Sequence, residues 1–156
     1  MKKRLFSVII VLLVLVFAVP SAYALGDDFH ENTKKEITYL ADGSYIITTI
    51  TEENAHTSPY AAAQTKSGSK TSTVYSVTGT SLYSITVHGT FSYNGSSATA
   101  KSASYSHTEE SPLWSFSGGS ASVSGATATA SGTFKSVLTS KTLTVSLSCS
   151  AGGTLS

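Results

Sequence analysis

Reactive side chains are scarce in this sequence, and scarcity decides more than spacing. One cysteine, four histidines and nine carboxylates stand among 156 residues, while Ser and Thr make up roughly a third of the chain. With hydroxyls everywhere, a nucleophilic mechanism is limited by its base. No Gly-x-Ser-x-Gly elbow occurs. Cys149 falls on the apolar row of its segment, whereas a catalytic thiolate needs an electropositive, accessible site. Two short clusters, Asp27-Asp28-Phe29-His30-Glu31 and His107-Thr108-Glu109-Glu110, could recruit a metal weakly. Neither has the ligand spacing of a structural zinc site, and both read as solvated loop charge. Nothing places two carboxylates across a cleft, as glycoside hydrolysis requires. The expectation is a non-enzymatic chain with no cofactor and no metal; a hydrolase built on His107, Glu109 or Glu110 is the least favoured alternative.

His88 is the histidine with the most informative surroundings. It shares a polar row with Thr86 and Thr90, so these three are the candidate binding-face residues. The plainer reading of His88 is a surface residue bonded across strands. Aromatic rings offer a second route to recognition, since amphipathic rings suit sugar- and protein-binding sites. Tyr75, Tyr83, Tyr93, Tyr105, Trp114 and Phe116 are candidates. The alternation assigns Tyr83 and Tyr93 to the core with Ile85 and Val87, and leaves Tyr45 and Tyr60 less constrained. Asn94-Gly95-Ser96 matches a glycosylation sequon, but Asn-Gly is better explained as a tight turn.

Positioning these residues falls to strands. Ile37 and Tyr39 alternate with Thr38 and Leu40, Ala41-Asp42-Gly43-Ser44 marks a turn, and Tyr45 to Thr51 returns. Glu52 to Ser69 loses the alternation and reads as a long loop, mobile around Lys66 to Ser72. Thr71 to Val77 is a strand candidate. Tyr83, Ile85, Val87, Gly89, Phe91 and Tyr93 fall at period two, opposite a row of Ser, Thr and His88, which puts one face in a core and one in water. In the return strand, Ala98 and Ala100 share one row, and Ala103 and Tyr105 the other. His107 to Pro112 reads as a charged loop, and Leu113 to Ser117 as a short strand ended by Gly118-Gly119. Ala126, Ala128, Ala130 and Phe134 form one apolar row; Leu143, Val145, Leu147 and Cys149 form another. Gly-Thr-Phe occurs at Gly89 to Phe91 and at Gly132 to Phe134, a coincidence that so biased a composition explains by chance.

The first residues supply an address. Lys2, Lys3 and Arg4 precede an uncharged apolar run from Val8 to Val19, Pro20 and Ser21 break it, and Ala22-Tyr23-Ala24 presents small residues for cleavage. The run is shorter than the roughly 20 residues a spanning helix needs. A cleavable signal peptide over residues 1–24 is expected, cut between Ala24 and Leu25. A flexible arm over 25–35 and one domain over 36–156 follow. No lipid-attachment cysteine adjoins the cut and no later apolar tail occurs, so release outside the cell without a stable membrane anchor is expected. The leader carries three of the ten basic residues and none of the nine acidic ones, so the formal charge of +1 becomes −2 after the cut. That argues against an electrostatic footprint for nucleic acid or anionic lipid.

The run Ser84-Ile85-Thr86-Val87-His88-Gly89-Thr90-Phe91-Ser92-Tyr93-Asn94-Gly95-Ser96-Ser97-Ala98-Thr99 resembles a segment of small secreted proteins of Gram-positive bacteria that are uncharacterised. Asp42-Gly43-Ser44-Tyr45 and Val145-Ser146-Leu147-Ser148-Cys149 resemble the same group. The resemblance implies export and carries no activity. It also implies a cysteine near Ala100 that would pair with Cys149. This chain lacks it, and Cys149 is expected to be buried as a small hydrophobe.

About eight strands with no helix imply an all-β, immunoglobulin-like antiparallel sandwich. Three functions follow in order: binding of an extracellular protein or glycan; an antibacterial or membrane-active role, against which the low charge counts; and the hydrolase named above.

Overall fold

The structure is a computed structural model and describes residues 34–53 and 63–156. The leader, the cut at Ala24 and Leu25, the Asp27 to Glu31 cluster and Tyr60 lie outside the described residues. Eight strands form: β1 Lys34–Tyr39, β2 Tyr45–Glu52, β3 Gln64–Tyr75, β4 Ser81–Tyr93, β5 Ala98–Glu109, β6 Ser115–Ser124, β7 Thr127–Lys135 and β8 Ser140–Ser148. No helix occurs among the described residues.

The strands make two antiparallel sheets, one of five in the order β1-β2-β3-β4-β5 and one of three in the order β6-β7-β8. The layered all-β architecture agrees with the sequence. The connectivity is another matter: an immunoglobulin-like sandwich interleaves its strands between sheets through Greek-key connections, whereas both sheets here follow chain order and the chain crosses between them once. The smaller sheet lies over β3, β4 and β5, leaving β1 and much of β2 projecting past it.

The strict alternation places the core correctly. Tyr83, Ile85, Val87 and Phe91 from β4 meet Ala128, Ala130 and Phe134 from β7 and Leu143, Val145 and Leu147 from β8. The two Gly-Thr-Phe runs take equivalent positions, one on a strand of each sheet. Phe91 and Phe134 are fully buried, and each glycine is a point of close approach. A Cβ on Gly89 would stand 3.0 Å from that of Ala128, and one on Gly132 would stand 2.6 Å from Ile85 Cδ1.

Four boundaries differ from expectation. Lys34 and Lys35 are not arm but the start of β1, opposite Ile50 and Thr49. Charge there suits a sheet edge. Gln64 to Ser69 is not loop but the first half of β3, paired with β4 from Tyr93 to His88. Its inward row is Gln64, Lys66 and Gly68, without an apolar period, because Lys66 faces Glu52 in a 2.5 Å ion pair and Gly68 makes room for buried Leu155. His107 to Glu109 belongs to β5. Gly118 and Gly119 do not end β6; the register slips by one residue at Ser117, and pairing runs on to Ser124. A similar slip at Lys101 pairs Ala100 with Phe91 and Ala103 with Gly89, so the two alanine rows of β5 face the same core.

Candidate functional site

The register fixes what the solvent side of the larger sheet presents. Directly opposed residues form rows across the strands. One row is Tyr39, Tyr45 and Tyr75; the next is Ile37, Ile47, Thr73, Ser84 and Thr108; the third is Lys35, Thr49, Thr71, Thr86 and Ser106. His88 follows with Ser69 and Ser104, then Thr90 with Ser67 and Ser102. The expected trio Thr86, His88 and Thr90 therefore shares one face.

Their polar atoms are already engaged. Thr71 and Thr86 hydroxyls pair at 2.8 Å, Ser67 and Thr90 at 3.1 Å, and His88 Nε2 bonds Ser106 Oγ at 3.0 Å. Cross-strand pairs of this kind are the unit of sheet stabilisation. Hydroxyls keep a spare donor or acceptor after pairing, so β3, β4 and β5 present a lattice of oriented hydroxyls with His88, flanked by Lys35, Ile37 and Ile47 on β1 and β2. The smaller sheet has its own lattice: Thr127 with Ser148, Thr129 with Ser146, Ser131 with Thr144, and Thr133 with Thr142. No aromatic ring stands in that one.

The tyrosines set the larger sheet apart. Tyr45 and Tyr75 stack, with ring centroids 5.2 Å apart and planes 6° from parallel. Tyr39 leans on Tyr45 at 5.8 Å and is 75% exposed. The stacked pair buttresses Tyr39, whose open ring stands on the same face as the lattice, next to Ile37. Tyr39 is the functional candidate that the sequence reading passed over. Its signal was available, since Tyr39 and Tyr45 flank the Asp42-Gly43 turn and a hairpin must oppose them. Tyr75 enters only through the pairing of β2 with β3.

Most other aromatic candidates serve packing. Tyr83 is buried, stacked on Phe134 at 4.3 Å and against Trp114 at 4.7 Å. Burial raises its phenol above the ordinary value, and the charge of Asp42 adds to this. Tyr93 packs against the core, as does Tyr105, which also meets Phe116.

The residues weighed for hydrolysis are each engaged in local contacts. His107 stacks on Phe116, with centroids 3.6 Å apart. The Glu109 carboxylate accepts the backbone N–H of Phe116, and Glu110 accepts the hydroxyl of Thr108. Among the described residues, no three of His, Cys, Asp and Glu gather closely enough to hold a metal. Cys149 is buried beside the Lys66–Glu52 pair; burial pushes its thiol up, with Lys66 opposing. A groove of about 210 Å³ opens where β1 and β2 overhang the last residue, lined by Lys34, Lys35, Lys70 and Glu36. Thr48, Ile50 and Ser156 complete its lining, with no histidine or cysteine among them.

No family model, curated protein or solved structure matches the sequence.

Proposed function

We propose that this chain is an exported, non-catalytic binding protein whose ligand is an extracellular glycan, held on the solvent face of the larger sheet. One observation carries the reading: the row Tyr39, Tyr45 and Tyr75 shares its face with rows of Ser and Thr hydroxyls and His88, with Thr73 next to Tyr75 and Ile37 and Ile47 next to Tyr39 and Tyr45. Sugars present apolar C–H faces and hydroxyl edges. An exposed ring meets the first and a hydroxyl lattice the second, and neither needs charge. Thr86 and Thr90 supply hydroxyls and His88 a ring nitrogen within the same lattice. Extracellular residence rests on the leader read in residues 1–24.

Affinity electrophoresis through gels containing neutral polysaccharides, with a glycan array beside it, tests the proposal. Retardation by at least one neutral polysaccharide is expected. Tyr39→Ala should weaken it roughly threefold to tenfold, the equivalent of one aromatic contact. Stability should stay within about 0.5 kcal/mol, because Tyr39 is mostly exposed. Indifference to every glycan removes the ligand class, and undiminished binding by Tyr39→Ala removes the site. Binding to a surface protein that Tyr39→Ala abolishes would keep the face and replace the ligand.

A further inference from the structure

The register gathers four connections at one end of the sandwich. Tyr39 opposes Tyr45 across the β1–β2 turn, and Tyr75 opposes Ser81 across the β3–β4 turn. Tyr83 opposes Glu109, which brings the β5–β6 connection to the same end. Ser115 opposes Lys135, and Lys135 opposes Ser140, which adds the β7–β8 turn. Trp114 against Tyr83 ties the two sheets together there.

Every one of these connections lifts an apolar side chain into solvent. Leu40 is 38% exposed, Val77 66%, Leu113 73%, Val137 98% and Leu138 94%. Among the described residues, the turns at the opposite end, Asn94 to Ser97, Gly125-Ala126 and Ser150 to Gly153, expose no large apolar residue of their own, and only Val123, 45% exposed, stands beside one of them.

Folding does not require Val137 and Leu138. Two-residue hairpin turns favour Asn, Asp and Gly. This turn has none; it is closed by the bond from Ser136 N–H to the Thr139 carbonyl and by Ser136 Oγ, which accepts the Thr139 N–H. Nor does burial explain them, since they touch almost nothing. Five apolar tips brought to one end, the most exposed serving neither turn nor core, point to a ligand.

The tips come from four different connections. A protein partner needs a contiguous complementary surface, whereas fluid hydrocarbon accepts separate tips. Lys135 and Lys141 flank the most exposed pair. Their stems can lie along the turn while their ammonium groups reach phosphate level. Asp42, Glu109 and Glu110 share this end, so attraction to anionic lipid is limited and apolar insertion leads.

We propose that this end of the sandwich is a lipid-docking site, with Val137 and Leu138 entering the boundary between headgroups and acyl chains, and Leu113 and Val77 following at lesser depth. The tips on the larger sheet adjoin the tyrosine row assigned to glycan, but Val137 and Leu138 lie on the smaller sheet, so V137S/L138S and Tyr39→Ala test the two readings apart.

The test is co-sedimentation of a chain starting at Leu25 with vesicles of phosphatidylcholine, and of phosphatidylcholine with phosphatidylglycerol. Such a chain keeps every residue of the core and lacks the apolar leader. Binding to both vesicle types is expected. V137S/L138S should reduce the partition by about tenfold or more while leaving thermal unfolding unchanged. K135Q/K141Q should weaken binding only where phosphatidylglycerol is present. Brominated acyl chains should quench Trp114, the only tryptophan. Failure to sediment with either vesicle, or V137S/L138S binding as well as the parent, overturns the proposal. Self-association that V137S/L138S abolishes, with no vesicle binding, assigns this end to protein contact and overturns it equally.

Discussion

Gly132→Ala should destabilise the protein, against the usual sign for such a change. Gly132 lies in β7 with a backbone conformation open to any residue. Replacing glycine where the backbone permits stabilises by about 0.4–1 kcal/mol through the unfolded chain. Here the added Cβ would stand 2.6 Å from Ile85 Cδ1, 3.1 Å from Phe116 Cε2 and 3.4 Å from Phe134 Cε2. Ile85 and Phe134 are fully buried, so neither can swing aside into solvent. Overpacking of this kind costs about 1–3 kcal/mol. The clash therefore prevails, and a net loss of about 1–2 kcal/mol is expected. Ile85→Val deletes the very methyl that collides, and alone should cost about 0.5–1.5 kcal/mol. Combined, the two changes should cost about 1 kcal/mol less than their sum, because the new methyl occupies the vacated space. Urea unfolding followed by Trp114 fluorescence gives all four corners of the cycle. A Gly132→Ala protein as stable as the parent, or strictly additive double-variant energetics, would refute the inferred contact between the sheets.

Stability should also fall in alkali, in two steps. Cys149 and Tyr83 both keep their protons longer when folded than unfolded, chiefly through burial. Both are neutral when protonated, so their contribution is whole below the unfolded values and declines as pH rises through them towards the folded ones. The first step should begin near pH ~8.5 for the thiol and the second near ~10 for the phenol; urea midpoints against pH should show both, Cys149→Ala should erase the first, and a flat profile to about pH 10 would contradict the burial assigned to Cys149. Asn94→Ala should lower stability by about 1 kcal/mol, since Asn94 Oδ1 accepts the backbone N–H groups of Ser96 and Ser97; an unchanged melting temperature would show that Gly95 alone sets the turn.

What the sequence revealed depended on which neighbour each strand met. β4, β7 and β8 have a core on one side and water on the other, so their alternation reads directly as burial. The first half of β3 faces inward with Gln64, Lys66 and Gly68, opposite Glu52 and Leu155. Lacking an apolar row, it looks like loop. β5 and β6 each carry a one-residue slip, which turns one continuous inward face into two apparent rows. The hydroxyl face around His88 was legible, because period two requires only local pattern. Tyr75 beside Tyr45 was not, because that contact spans residues 45 to 75 and depends on how β2 pairs with β3. The apolar tips escaped for the same reason: each lies in a different turn, and only the topology brings them to one end.

The edges of the sheets bear on how the larger face could be used. β1 is exposed along its whole length, a shape that invites another strand to pair with it. It opens with Lys34, Lys35 and Glu36, and charge on an edge discourages such pairing. Next to β8, Cys149 bridges to Leu155, and Ser148 and Ser156 exchange backbone hydrogen bonds at 2.9 and 3.0 Å, so that end of the edge is covered. Recognition by strand addition thus meets charge on one edge and an occupied backbone on part of another. The tyrosine row runs across β1, β2 and β3 instead of along an edge, with Tyr39 on the outermost strand and its ring turned to solvent. A ligand that stacks on rings and bonds to hydroxyls can approach such a face without competing for backbone groups, and this favours a glycan over an extended peptide as the molecule the face holds.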